Sequence, residues 1–108
     1  MVYWLALAGA ILLEVAGTTS MKLSQGFTRP LPSVLLFVFY AMSFSLMTIA
    51  VKKIDMSVSY AIWSGVGTAL IALIGIGVFR EPLTALKIAS IGLIIAGVFG
   101  LNAGMRDV

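Results

Sequence analysis

The chain has 108 residues, 61% of them hydrophobic and only 10% charged, with a mean hydropathy of +1.15. Its few charges fall in short breaks between apolar runs, so nothing is left to cover a water-soluble surface, and a bilayer is the expected solvent. The absence of cysteine and histidine excludes disulfides, thiolate metal centres and imidazole chemistry, and the net charge of +3 is spread over single or paired basic residues rather than gathered into a nucleic-acid patch.

The first apolar run, Tyr3 to Met21, is close to the ~20 residues that a spanning helix needs. No Lys or Arg precedes Lys22, the run is long and it contains a glutamate, so it reads as a retained helix rather than a signal peptide. Glu14 lies about two thirds of the way along it, where an ionised side chain costs on the order of 2.5–3.5 kcal/mol by insertion scales. Such residues mark ion pathways. Low dielectric disfavours the charged form of a carboxyl group, so one placed here can take up a proton and release it again. At helical spacings from Glu14 stand Leu7, Ala10, Ile11, Gly17, Thr18 and Met21, mostly small or apolar, which leaves space beside the carboxylate. The Thr18 hydroxyl has two available acceptors, the Glu14 side chain and a carbonyl of its own helix.

A break from Lys22 to Pro32, containing Gly26, Pro30 and Pro32, leads to a second run from Ser33 to Val51. Tyr40, Ser43, Phe44 and Met47 share one face of it, a set that by itself is ordinary bundle packing. Lys52 to Met56 forms the next break, and the third run extends from Ser57 to Phe79. It opens on Tyr60 and Trp63, which share a face with Gly67. Their position in the first third suits an interfacial aromatic belt, and their ring faces equally suit an organic cation beside a carboxylate. Gly65 and Gly67 permit either a bend or a close helix crossing. After Arg80 to Thr84 the fourth run, Ala85 to Met105, carries Ser90, Gly97, Gly100 and Gly104, small residues that allow close helix contact.

The expected fold is therefore all-α and integral to the membrane, one transmembrane domain over residues 1–108 with four helices at about 3–21, 33–51, 57–79 and 85–105. Four crossings put both termini on the side of Lys52, Lys53 and Arg106, leaving Lys22, Arg29, Arg80 and Lys87 on the other. Three basic residues against four give almost no positive-inside bias, so dual topology is expected. A bundle this small cannot both pack its interior and enclose an organic molecule, which points to oligomerisation.

The segments Glu14-Val15-Ala16-Gly17-Thr18-Thr19-Ser20-Met21-Lys22, Gly26-Phe27-Thr28-Arg29, Pro32-Ser33 and Tyr60-Ala61-Ile62-Trp63-Ser64-Gly65-Val66-Gly67 together resemble the small multidrug resistance transporters over essentially the whole chain. The resemblance implies a multi-pass antiporter of the bacterial inner membrane, an antiparallel homodimer of four-helix subunits that exchanges protons for cationic compounds. It places Glu14 at the family's essential carboxylate, with Tyr60 and Trp63 lining the site and Tyr40, Ser43, Ala10, Leu7, Gly17 and Thr18 nearby. Gly17 and Tyr40 resemble the exporters of quaternary and polyaromatic cations. The Arg80-Glu81-Pro82-Leu83-Thr84 loop resembles the guanidinium exporters as much, which keeps that substrate class as the alternative. Ser90 stands where many members carry glycine, and Trp4 where a tyrosine is familiar.

A single region in which protons and a cation compete for Glu14 needs no nucleotide, metal or other cofactor, and no nucleotide-binding motif is present. A proton-carrying structural subunit of proteolipid type is the reading from a different class. Such subunits are two-helix hairpins with the carboxylate in the second helix, unlike the arrangement here. An enzyme is not expected, because no nucleophile, base and orienting group can be assembled from these residues.

Overall fold

The computed structural model describes residues 1–104; Met105 and Arg106, to which the sequence reading extends, lie outside the described residues. Four helices follow one another: α1 (Val2–Leu23), α2 (Pro30–Ala50), α3 (Met56–Gly77) and α4 (Ala85–Gly104). At 1.5 Å per residue their 20 to 22 residues give lengths of roughly 30–33 Å, and all four are long and apolar enough to cross a bilayer. The protein is a four-helix, multi-pass membrane protein.

Helix α2 begins three residues before the expected Ser33. Pro30 and Pro32 occupy its first turn, where a missing N–H costs nothing because that donor has no intrahelical partner anyway. The α1–α2 turn uses three consecutive residues of positive φ, Gln25, Gly26 and Phe27. Ser24 holds this strained turn: its hydroxyl donates to the Met21 carbonyl at 2.8 Å and accepts the Phe27 N–H at 3.2 Å. Between α2 and α3, Ile54 folds inward and is 1% exposed, which fixes a short charged loop to the core. Before α4, Thr84 accepts the Lys87 N–H at 3.1 Å and supplies the N-terminal cap.

Helix α1 packs against both α2 and α3, and α4 packs against α3. The core is formed by Leu7, Ile11 and Val15 of α1 with Ala50, Ile54 and Val58. Since lipid is as apolar as these side chains, helix association rests on close fit rather than on water expulsion. Gly9 lies against Leu46, and Gly65 of α3 is so close to α4 that an added Cβ would stand 2.7 Å from Val98 Cγ2. No residue of α4 is buried, and nothing lies within 4 Å of a Cβ built at Gly97, Gly100 or Gly104. The fourth helix therefore presents Gly97 and Gly100 outward, uncovered among the described residues.

Candidate functional site

The site begins with Glu14, whose neighbours come from three helices. One turn on in α1, the Thr18 hydroxyl donates to Glu14 Oε2 at 2.7 Å. Of the two acceptors open to Thr18, it uses the carboxylate; Thr19, by contrast, bonds back to the Val15 carbonyl at 2.8 Å. Tyr40 Oη of α2 lies 2.6 Å from Thr18 Oγ1. A hydroxyl has one hydrogen, and that of Thr18 is committed to the carboxylate, so Tyr40 is the donor in the second bond. The result is a directed chain, Tyr40 to Thr18 to Glu14, spanning two helices.

From α3, Gly67 meets the other carboxylate oxygen. A Cβ at this position would fall on Glu14 Oε1, so only glycine lets the side chain lie there. Gly67 is thus the seat of the carboxylate, a role distinct from the bend or crossing open to it on sequence. Helix α3 runs without interruption through it, and the helix crossing belongs to Gly65.

Gly17 has a comparable part. The Tyr40 ring lies where a side chain at Gly17 would be, with Cδ1 and Cε1 at 2.6 and 2.7 Å from a Cβ built there. The space beside Glu14 that small residues were expected to leave is therefore filled here by a tyrosine from α2. Ser43, fully buried, donates to the Ala10 carbonyl at 2.6 Å and pins α2 to α1 one turn before Glu14. Leu7 belongs to the hydrophobic core, and Ser90 and Gly97 lie on α4 away from these groups.

An aromatic series continues from Tyr40. Its ring stacks on Phe44 at 6.0 Å between centroids, Phe44 meets Trp63 at 5.9 Å, and Trp63 meets Tyr60 at 5.6 Å. Phe44, read from the sequence as packing, is the link that joins Tyr40 of α2 to Trp63 and Tyr60 of α3. Its i, i+4 spacing from Tyr40 was the available signal. Glu14, Tyr40 and Trp63 are partly buried, whereas Phe44 and Tyr60 are exposed, so the aromatic surface is open in this chain. Trp63 Nε1 is buried and has no hydrogen-bond partner among the described residues. Chemically, the arrangement offers one carboxylate, a hydroxyl chain and several π faces, the groups that attract a desolvated organic cation. Among the described residues no group of three or more acidic or other metal-binding side chains is assembled.

The family model for Small Multidrug Resistance proteins matches residues 2–94. The chain belongs to the small multidrug resistance family. It is 46% identical over 104 residues to the multidrug transporter EmrE of Escherichia coli, a match covering 96% of this chain and 94% of that protein. The multidrug resistance protein EbrB of Bacillus licheniformis is 45% identical over 97 residues, covering 90% of this chain and 82% of its own length. The membrane protein YvaE of Bacillus subtilis is 54% identical over 99 residues, covering 92% and 83% respectively. Membership of the small multidrug resistance family makes this a membrane transport protein related to multidrug transporters, in keeping with its four spanning helices.

Proposed function

We propose that the chain is a proton-coupled exporter of lipophilic, quaternary ammonium and aromatic cations, in which protons and substrate compete for Glu14. The observation that carries this reading is the joining of one intramembrane carboxylate, through Thr18 and Tyr40, to a continuous series of aromatic faces.

When ionised, Glu14 accepts from Thr18, and its attraction for a cation is strong in a medium of low dielectric. Protonation removes that attraction and lets the cation leave. Exchange follows from the exclusion of one ligand by the other, so a proton gradient alone drives export. Tyr40, Trp63 and Tyr60 supply faces for a cation whose hydration is cheap to remove, with Ala10, Gly17 and Ser43 setting the approach of α2 to α1.

The working unit is an antiparallel homodimer. Two features support it: the aromatic surface is open in one subunit, and among the described residues α4 turns Gly97, Gly100 and Gly104 outward without a neighbour. A second copy completes the enclosure and brings a second Glu14 to the same region.

The test is uptake of a fluorescent or radiolabelled quaternary cation into proteoliposomes under an imposed pH gradient. Glu14→Gln keeps the side-chain volume but cannot ionise, and is expected to abolish gradient-driven uptake and the cation binding at the central site together. Uptake retained by this variant would refute the mechanism. Exchange of protons for guanidinium, with none for bulky cations, would move the substrate class to guanidinium compounds.

A further inference from the structure

At the end of α1 remote from Met1, a groove of about 710 Å³ opens between α1 and α3. Thr18, the residue bonded to Glu14, lines its inner end, and Lys22, Phe79 and Glu81 line its mouth. Lys22 lies eight residues beyond Glu14, about 12 Å along the helix axis. Its ammonium is 3.8 Å from Glu81 Oε2 and 5.9 Å from the centroid of the Phe79 ring. A carboxylate and an aromatic face thus hold one cation between them, the same two kinds of group that the central site offers.

The backbone around Glu81 is built for this placement. Arg80 takes a positive φ of 56°, which turns the chain back, and the Glu81 N–H donates to the Gly75 carbonyl at 2.9 Å. The Glu81 carboxylate then lies where any side chain at residue 75 would be, so Gly75 seats Glu81 as Gly67 seats Glu14. The Lys22 and Glu81 side chains are 60% and 45% exposed, so their ion pair is weak and readily exchanged. Arg29 also borders the groove, but within ion-pairing distance of Glu81 stands Lys22 alone among the described residues.

We propose that Glu81 and Phe79 form a peripheral site for an organic cation at the mouth of the groove, with Lys22 as its tethered occupant. An arriving lipophilic cation displaces the Lys22 ammonium from the ring and carboxylate, and the groove leads from there to Thr18, which is hydrogen-bonded to Glu14. Lys22 keeps the outer carboxylate neutralised when no substrate is present, and its long flexible stem lets it withdraw. This site rests on the reading of the chain as a cation exporter, and its test is arranged to be independent of the central one.

The full-length Glu14→Gln protein in lipid nanodiscs removes the central carboxylate while leaving the groove intact. Titrated with tetraphenylphosphonium, it is expected to show saturable amide NMR shifts at Gly75 and Phe79. Lys22→Met in this background removes the competing ammonium and should tighten that binding roughly three- to fivefold, the size of an exposed cation–π contact. Glu81→Gln should weaken it by at least as much. The opposite directions of the two variants distinguish a site from general damage. Absence of saturable shifts, or shifts unmoved by both substitutions, would overturn the proposal. If the wild-type protein instead lacks any Glu14-dependent cation affinity, the exporter reading fails, and the shifts at Gly75 and Phe79 are read independently of it.

Discussion

Gly67 sets the smallest residue against the carboxylate on which the proposed chemistry depends, and the pairing leaves no tolerance: one methyl group at this position takes the place of Glu14 Oε1. Gly67→Ala is therefore expected to push the carboxylate off Gly67 and out of line with Thr18, lowering affinity for tetraphenylphosphonium on the order of tenfold or more. Equilibrium binding to folded protein checks this, and unchanged affinity would show that the seat is not needed. Trp63 tests a different term. Its ring lies in contact with both Phe44 and Tyr60, and an aromatic wall contributes roughly 0.5–2 kcal/mol of cation attraction. Trp63→Ala should then weaken binding of aromatic or quaternary ammonium cations by about tenfold, with a smaller loss for small, strongly hydrated cations, in competition assays over a series of cation sizes. An equal loss for all cations would point to collapse of the packing instead. What the sequence reveals at this scale is uneven. Glu14 stands out because charge inside an apolar run is costly, and Tyr60 and Trp63 because their rings share a face. The contact of Gly67 with Glu14 depends on how α3 is aligned along α1, which no pattern within either segment encodes.

At the scale of the helices, hydropathy alone yields their number and nearly their limits, because apolar length is what a bilayer selects. The start of α2 is the instructive difference: prolines that break a helix interior are good first-turn residues, and three more residues are helical than the apolar run suggests. The connection of α4 is not legible in this way, since its small residues mark a face for close contact but the contact with α3 is made elsewhere, through Val98 and Ile94. Its attachment to α3 depends on Gly65, against which Val98 and Ile94 pack. Gly65→Val is expected to force the two helices apart and to destabilise the subunit by about 1–3 kcal/mol, the usual cost of overpacking. Thermal unfolding in detergent measures it, with Gly97→Val as the comparison, because space around Gly97 is open in the subunit. If Gly65→Val unfolds at the wild-type temperature, α4 is not held at this point.

For the whole molecule, orientation rests on a small difference. The sequence expectation sets Lys52, Lys53 and Arg106 against Lys22, Arg29, Arg80 and Lys87, a balance of three to four that a few charges can tip. Two or three lysines added at the C-terminus should fix one orientation and impair transport by the protein expressed alone. Cysteine accessibility at Arg29→Cys in cells reads the orientation, and a wild-type chain found in one orientation only would rule out the antiparallel homodimer. Beneath orientation and assembly lies the proposed competition at Glu14. Substrate-induced proton release from the purified protein in weakly buffered solution tests it most directly. Tetraphenylphosphonium is expected to release protons from the wild-type protein as it binds, and to release none from Glu14→Gln. Cation binding of undiminished affinity with no proton released at any pH, or release that survives Glu14→Gln, would contradict it.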